Sequence, residues 1–290
     1  MQSPLVTIGI PVYNVGRFIA LTLKSVLAQT YTNLELIITD DGSTDNTVEI
    51  IRSFNDPRIT LIVDGENHGI SYRLNQQIDL AKGKYFVRMD GDDLMFPERV
   101  EEQIKFLQEH PEIDVVGSPI VVIDDDNKII GYRKYSCDNL SKKRLFKATC
   151  FAHPTVCGRI EFFRKFHYIE KYNGTEDNNL WIRGYKDNNF AQMERPLMFY
   201  RDPLVFKLNT YLSRMRVKKT MYRDLMQTNE NYKWYLRKLI LMRDVRICLS
   251  YTLSKLHFDS LLIKRRNSLV EDCNAYVDVL NSIIKQQLTK

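Results

Sequence analysis

Short apolar segments alternate with longer amphipathic segments through the first 130 residues of the chain. The short segments are rich in Val, Ile, Leu and aromatic residues and read as strands at Leu5–Ile10, Leu34–Thr39, Ile59–Val63 and Tyr85–Met89. The longer segments have helical spacing of their apolar residues, at Arg17–Gln29, Asn46–Phe54, Ser71–Ala81 and from Pro97 onward. This alternation predicts an α/β fold with a mostly parallel sheet flanked by helices.

Polar loops follow three of the predicted strands, at Pro11–Asn14, Asp40–Ser43 and Asp90–Asp93. In open α/β sheets, ligands bind beyond the carboxyl ends of the strands. We therefore expect these three loops to meet at one crevice, with their carboxylates carrying the chemistry.

The chain changes character after Asn139, where the pattern is mixed, and after Lys207, where it is helical. Apolar stripes at helical spacing occur at Val245, Leu249, Leu253 and Leu256, and at Leu269, Cys273, Tyr276, Leu280 and Ile283. Lys207–Lys290 holds 17 Lys and Arg against 7 Asp and Glu, a net charge of +10, whereas the rest carries −4. We predict a catalytic body at 1–205 and a basic helical extension at 206–290. The extension either contacts an anionic surface or keeps its charges in water.

The composition is that of an ordinary globular protein: 290 residues, 44% hydrophobic and 27% charged. Its apolar runs are strand-sized, far shorter than the ~20 residues of a membrane-spanning helix, and the N-terminus lacks a signal-peptide pattern. The five cysteines include no Cys-x-x-Cys pair, which favours reduced, structural thiols over a zinc site. We therefore expect a cytoplasmic protein without a membrane span.

The segment Asp90-Gly-Asp92-Asp93 concentrates three carboxylates within four residues at a strand end. Mutual repulsion makes such a cluster costly unless a cation or donor groups neutralise it, and hard oxygen ligands suit Mg²⁺ or Mn²⁺. The alternative is a solvated acidic turn. Asp40 and Asp41 end a neighbouring strand, where a carboxylate accepts the N–H of a uracil ring or only caps the next helix. The early strands are followed by neither a dinucleotide-type Gly-x-Gly-x-x-Gly nor a P-loop.

Several segments together resemble the family 2 glycosyltransferases of the GT-A fold, whose central sheet is Rossmann-like. They are Ile8–Asn14, Thr39–Asp45, Ala81–Tyr85, Met89–Asp93 with Pro97–Arg99, and later His153–Thr155 and Glu176–Trp181. The resemblance spans about residues 3–205 and does not include the extension. It implies a nucleotide-sugar donor, a divalent metal (Mn²⁺ or Mg²⁺) and inversion at the anomeric carbon.

The resemblance also implies roles for individual residues. Asp92 would hold the metal with the support of Asp93, and Asp177, paired with Glu176, would deprotonate the acceptor hydroxyl. The nucleotide-sugar site would comprise Pro11, Tyr13, Asn14, Asp40, Asp41, Asp90, Gly91 and His153. His153 is equally interpretable as a structural histidine.

Two departures from the family pattern refine the expectation. Asn179 stands where the family often has Asp, which affects acceptor contacts. Gln192–Arg195 is followed by Pro196 rather than by the Trp of the Gln-x-x-Arg-Trp signature, so we expect transfer of one sugar at a time. Arg73 and Arg99 are weaker candidates for phosphate contacts, and Trp181 is expected in the core or a site wall.

The leading prediction is a metal-dependent, inverting transferase that adds one sugar to a glycan or lipid-linked acceptor in surface polysaccharide synthesis. The basic extension would either bring it to the inner membrane face or pack its apolar stripes on the catalytic body or a second subunit, and its oligomeric state is left open. One alternative is a sugar-phosphate nucleotidyltransferase, although Pro11–Asn14 replaces the usual Gly-rich loop. The other is a non-catalytic module whose basic extension grips nucleic acid. We do not expect a nucleic-acid partner, because no recognised nucleic-acid motif accompanies the charge.

Overall fold

A central sheet of seven strands forms the body of the protein, with the order β10-β6-β9-β4-β1-β2-β3. The structure is a computed structural model that describes residues 3–202, 205–258 and 274–285. The strands are β1 Val6–Val12, β2 Leu34–Asp40, β3 Ile59–Val63, β4 Tyr85–Arg88, β5 Leu94–Met95, β6 Val115–Gly117, β7 Ile120–Ile123, β8 Ile129–Arg133, β9 Cys157–Arg159, β10 Phe190–Gln192 and β11 Met198–Arg201.

Helices cover the sheet and form the C-terminal part. They are α1 Ile19–Leu27, α2 Thr47–Arg52, α3 Ile70–Leu80, α4 Arg99–Glu109, α5 Lys142–Lys147, α6 Ile160–Lys165, α7 Glu176–Gly184, α8 Leu208–Thr228, α9 Lys233–Lys255 and α10 Asn274–Lys285. Four strands and the first four helices therefore lie where the hydrophobic pattern predicts them, with ends that differ by a few residues. The α/β prediction is confirmed.

The four predicted strands are parallel neighbours, and their register aligns the loops that follow them. Val12 of β1 lies opposite Asp40 of β2, and Gly9 lies opposite Arg88 of β4. β1 and β2 are apolar and buried along nearly their whole length, because helices cover both faces of the sheet. The loops after β1, β2 and β4 consequently open at one edge, as the strand-end rule requires.

The second half of the sheet departs from the simple alternation. β9 runs antiparallel between β4 and β6, and a separate four-stranded sheet has the order β5-β11-β7-β8. These strands are short, and their partners lie far away in the chain, as with Phe199 beside Val121. Local periodicity carries no signal for such pairings, so the sequence indicates only a mixed region there.

The C-terminal part packs on the body through two separate elements. Met221 and Tyr222 of α8 are buried in the cluster that contains Phe146. Leu280 and Ile283 of α10 join another cluster with Phe96, Phe199 and Leu21 of α1. Burying a large apolar side chain stabilises the packing of these helices on the body by about 1.5–3 kcal/mol. The division at residues 205 and 206 stays a prediction, since α8 shares a core with the body.

The two predicted apolar stripes have different surroundings. In the second stripe, Leu280 and Ile283 are buried, whereas Leu269 and Cys273 lie outside the described residues, as does the basic run Lys264–Arg266. In the first stripe, Val245 and Leu249 are exposed on α9, and Leu256 is exposed directly after this helix. In the part of the chain that the structure describes, no helix combines the length and hydropathy of a bilayer-crossing segment.

Candidate active site

A cleft of about 600 Å³ opens at the carboxyl ends of β1 and β4. Eight of the twelve predicted site residues line it: Pro11, Tyr13, Asp90, Gly91, Asp92, His153, Glu176 and Asp177. The other four, Asn14, Asp40, Asp41 and Asp93, lie behind or beside its walls. The cleft therefore joins the acidic loop after β4 to the N-terminus of α7, which are about 85 positions apart in the sequence.

The three acidic side chains of the loop after β4 converge on one point. Each of Asp90, Asp92 and Asp93 offers a carboxylate oxygen, and these oxygens lie within 4.8 Å of one another. Asp93 is fully buried, and its Oδ1 accepts the backbone N–H of Arg201 at 2.7 Å, while its Oδ2 is buried without a hydrogen-bond partner. Asp93 Oδ2 can therefore accept a bond from a ligand.

Burial and mutual repulsion perturb this acidic cluster. Burial, and then the neighbouring Asp90, raise the pKa of Asp92 to about 7. Burial, and then Asp92 and Asp90, raise the pKa of Asp93 well above its ordinary value. A group of all-oxygen ligands that repel each other fits a hard divalent cation, which offsets the repulsion. The residues present therefore fit Mg²⁺ or Mn²⁺.

Arg88 ends β4 directly beside this cluster, and sequence reasoning missed it. Its guanidinium is buried and pairs with Asp90 at 2.6 Å. Its Nε and Nη1 atoms are buried without hydrogen-bond partners. The available signal was an arginine at the end of an otherwise apolar strand, where a charge is costly unless it is paired.

The two carboxylates after β2 are occupied by protein groups. Asp40 Oδ2 accepts the backbone N–H groups of Gly42 and Ser43 and so shapes the turn. Asp41 accepts the N–H groups of His68 and Gly69 and pairs with Arg73 Nε at 3.0 Å. Neither carboxylate lines the cleft, and their contact with a nucleotide base stays a prediction.

Asn14 links the loops after β1 and β2. Its backbone adopts a positive φ of 52°, and its Oδ1 accepts the backbone N–H of Thr44 at 2.8 Å. Its own N–H donates to Ser43 Oγ at 2.9 Å. Asn14 therefore positions Tyr13, whose half-exposed ring lines the cleft, and its own contact with the donor stays a prediction.

The two candidate phosphate-binding arginines have structural roles instead. Arg73 is fully buried and binds both Asp41 and Asp64. Arg99 is also fully buried and donates to the carbonyl oxygens of Arg88 and Pro154. Burial lowers the pKa of Arg99 to about 10. Neither side chain lines the cleft, so the expectation of phosphate contacts was wrong.

The opposite wall of the cleft is formed by the start of α7 and the 3₁₀ turn His153–Thr155. Glu176 is buried, and its Oε2 accepts the N–H of Gly174 at 2.5 Å. His153 Nε2 lies 2.8 Å from the Tyr168 hydroxyl, and its Nδ1 lies 3.8 Å from Glu176 Oε1. Asp177 is half-buried and is the more accessible carboxylate of the pair.

Burial sets the protonation of this wall. It raises the pKa of Glu176 to about 7, with a further contribution from Asp177. Burial, and then Arg88, hold the pKa of His153 well below its ordinary value, so the ring is neutral. The buried Glu176 therefore resists ionisation, whereas Asp177 is the more accessible carboxylate, and its role as the base stays a prediction.

Two other residues of α7, Trp181 and Asn179, lie outside the lining of the cleft. Trp181 is fully buried among Phe151, Phe162 and Phe190, which confirms a core residue rather than a sugar platform. Asn179 Oδ1 accepts from Arg183 Nε at 2.8 Å and does not line the cleft.

Several cleft residues come from parts of the chain without a recognised motif. They are Arg133 and Tyr135 after β8, Tyr200 and Arg201 on β11, and Arg214 on α8. Only the tertiary fold brings these elements to the cleft.

The fold and this site define the class of protein: a glycosyltransferase of GT-A type. The structure is similar to that of TarS residues 1–349 from S. aureus in complex with UDP-GlcNAc, with a TM-score of 0.62, 17% identity, and 83% of this chain and 72% of that chain covered. In the UDP complex of the same protein, 65% of that chain is covered. It is also similar to the mannosyltransferase PcManGT from Pyrobaculum calidifontis in complex with GDP-Man and Mn²⁺, with a TM-score of 0.58, 16% identity, and 99% of this chain and 87% of that chain covered.

The family assignment follows from sequence similarity. The family described as "Glycosyl transferase family 2" matches residues 7–170. EpsE of Bacillus subtilis (strain 168), named as a glycosyltransferase, is 34% identical over 193 residues, which cover 64% of this chain and 68% of EpsE. The chain belongs to glycosyl transferase family 2.

Proposed function

We propose that this protein transfers one sugar from a nucleotide-diphosphate sugar, UDP-linked, to a hydroxyl of a glycan or lipid-linked acceptor in surface polysaccharide synthesis. The reaction inverts the anomeric carbon and depends on Mn²⁺ or Mg²⁺. One observation carries the proposal: a single cleft is lined by the acidic loop after β4 on one side and by Glu176 and Asp177 on the other.

The donor side is formed by the loops after β1 and β4. Pro11 and Tyr13 offer apolar and aromatic surface for the nucleotide, and Asp92 is the carboxylate of the cluster that we assign to the metal. A bound divalent cation would neutralise charge on the diphosphate leaving group. Arg88 holds Asp90 in place through their ion pair. Neighbours that bind UDP-GlcNAc, or GDP-Man with Mn²⁺, support this assignment.

The acceptor side is formed by the start of α7. An inverting transfer needs one carboxylate that removes the proton of the attacking hydroxyl as the new bond forms. Asp177 faces the cleft, whereas Glu176 is buried and holds the N–H of Gly174. We therefore assign proton removal to Asp177 and positioning of the loop before α7 to Glu176.

The alternatives lose support. The sugar-phosphate nucleotidyltransferase hypothesis does not explain why Asp177 faces the cleft from α7, and the chain belongs to glycosyl transferase family 2. A non-catalytic binding module does not require two sets of buried, repelling carboxylates in one cleft, which cost stability in the absence of a ligand.

We also propose that α9 places the enzyme on an anionic membrane surface. Five exposed apolar residues share one face, namely Trp234, Leu241, Val245 and Leu249 of α9 and Leu256 directly after it, whereas the exposed Tyr251 lies on another face. Arg237, Arg246 and Lys255 lie beside this face, Lys238 lies within it one turn from Trp234, and all four are exposed. Asp244 is the only acidic residue of α9, and its charge is paired with Lys219 of α8. An apolar face between basic flanks suits the headgroup region of anionic lipids.

Nucleotide binding tests the central proposal. The melting temperature is measured with UDP, GDP and AMP, each with Mn²⁺ or with EDTA. We expect UDP to stabilise the protein only with Mn²⁺, by about 2.7 kcal/mol at a concentration 100 times its Kd. Equal stabilisation by AMP, or by UDP in EDTA, would contradict the proposal. A panel of UDP-sugars then identifies the sugar by turnover.

A further inference from the structure

Four arginines line the cleft, and three of them are held by protein groups. Arg88 pairs with Asp90, and Arg133 pairs with Asp202. Arg201 donates to the backbone oxygens of Asp92 and Asp124 and to Asn127 Oδ1. The fourth, Arg214, is exposed on α8, and within residues 3–202, 205–258 and 274–285 no carboxylate or other acceptor binds it. Its charge is therefore available to a ligand in the cleft.

Arg214 lies on the acceptor side of the cleft. Gly174, just before α7, has a positive φ of 91°, and a Cβ built there would lie 3.1 Å from Arg214 Cγ. The same glycine donates its N–H to Glu176, the neighbour of the base Asp177. The stem of Arg214 thus rests against the loop that carries these carboxylates.

Two more cations extend the charge behind Arg214. Lys218 lies one turn further along α8 and is half-buried, with Asp177 and Arg243 near enough to influence its charge. Burial, and then Arg243, lower the pKa of Lys218 to about 8, while Asp177 opposes this change. Arg243 donates to the Tyr222 hydroxyl at 2.9 Å, and its Nε is buried without a partner. In the described parts of the chain, no carboxylate forms an ion pair with any of these three cations.

We propose that Arg214 binds an anionic group of the acceptor, a phosphate or a carboxylate, next to the hydroxyl that Asp177 deprotonates, with Lys218 adding positive charge one helical turn behind it. The inference rests on the proposed function and deepens it. The anion of the donor belongs to the other wall, where the acidic cluster fits a cation. A guanidinium and an ammonium one helical turn apart match the oxygen atoms of a phosphate or carboxylate. This site selects the acceptor class and lies in the extension rather than in the family motifs.

Calorimetry with defined probes tests the proposal. Wild-type protein with saturating UDP and Mn²⁺ is titrated with glucose 1-phosphate, methyl glucuronide and the neutral methyl glucoside. We expect at least one anionic probe to bind, and the neutral one to bind at least tenfold more weakly. Arg214→Ala should weaken the anion at least tenfold, because a charge-assisted contact is lost. Arg216→Ala is the matched control: it removes an equally exposed arginine of α8 that does not line the cleft.

The outcomes separate the sources of the anion. Binding of the phosphate alone indicates a phosphate-linked acceptor, and binding of the glucuronide alone indicates an acidic sugar. Equal binding of the neutral glucoside, no binding of either anion, or an unchanged affinity in Arg214→Ala would each overturn the proposal. So would a loss of Mn²⁺-dependent UDP affinity in Arg214→Ala, since that places the residue on the donor. The same titrations without UDP and Mn²⁺ measure the affinity for the anion alone. A protein that fails to bind UDP can therefore be distinguished from one that fails to bind the anion.

Discussion

The two walls of the cleft carry opposite unbalanced charges: carboxylates after β4, and cations on α8 beside α7. The wall after β4 gathers Asp90, Asp92 and Asp93 within 4.8 Å, and the adjacent Arg88 and Arg201 neutralise only part of that charge. The wall at α7 and α8 has Arg214 against Gly174 and Lys218 one turn further along α8, and neither cation forms an ion pair within the described chain. One wall therefore demands a cation and the other an anion. Under the proposed function, this difference directs the donor with its metal to one wall and the acceptor to the other.

The largest expected effect is on the acceptor wall. Asp177→Asn should leave UDP and Mn²⁺ binding intact and lower turnover about 10²–10⁴-fold, because an amide cannot accept the proton of the attacking hydroxyl. Turnover is measured by UDP release, and UDP affinity by calorimetry. Asp187→Asn, outside the cleft, is the control. Near wild-type turnover would remove Asp177 as the base and direct attention to Glu176.

A second variant tests the demand of the donor wall for a cation. Asp92→Asn should lose the whole Mn²⁺-dependent stabilisation by UDP, about 2.7 kcal/mol at 100 times the Kd. Without ligands the variant should be more stable than wild type, because burial and Asp90 oppose the ionised Asp92. Both changes are read from urea unfolding with and without ligands. The exposed Asp126→Asn should show neither, and a variant that kept its UDP response would refute the metal assignment.

The pH dependence of stability reports on the neutral histidine between the walls. Burial holds the folded-state pKa of His153 below the unfolded value near 6.5, so only the unfolded chain gains its proton as the pH falls. Wild type should thus lose about 2 kcal/mol more than His153→Gln between pH 7 and pH 5. The raised pKa values of Asp92 and Glu176 act with the opposite sign but are common to both proteins.

The comparison between His153→Gln and wild type is made by urea unfolding at several pH values. His110→Gln, which changes an exposed histidine, should keep the wild-type dependence. Parallel curves for wild type and His153→Gln would mean that His153 is protonated in the folded protein.

The smallest expected effect concerns the membrane face of α9. Arg246→Gln should weaken binding to vesicles with anionic lipid by about 1 kcal/mol, roughly fivefold, since it removes one cation near the headgroups. Arg223→Gln removes the same charge from α8 and serves as the control. Vesicle co-sedimentation at low and high salt measures both. No binding by the wild-type protein at low salt would refute the membrane proposal.

Most of the donor wall could be predicted from the sequence, and most of the acceptor wall could not. Loops that follow parallel strands meet at one edge of the sheet regardless of the other elements of the fold. The cleft is accordingly lined by Pro11, Tyr13, Asp90 and Asp92, as expected. Arg133, Tyr200 and Arg214 reach the cleft from a second sheet and a C-terminal helix, whose positions depend on contacts between distant segments. No local pattern encodes those contacts.

The sequence by itself determined the alternation of strands and helices, the clustering of acids after β4 and the charge imbalance of the extension, because each is a property of neighbouring residues. The tertiary structure decided which charged side chains are bound by other protein groups and which can bind a ligand. Arg73 and Arg99 look like phosphate ligands in the sequence, yet burial commits them to Asp41, Asp64 and backbone carbonyls. Arg214 has no motif, yet packing of α8 on the body brings it to the cleft, where no acceptor among the described residues binds it. A charge acquires its role from the partners within a few ångströms, and only the folded chain supplies them.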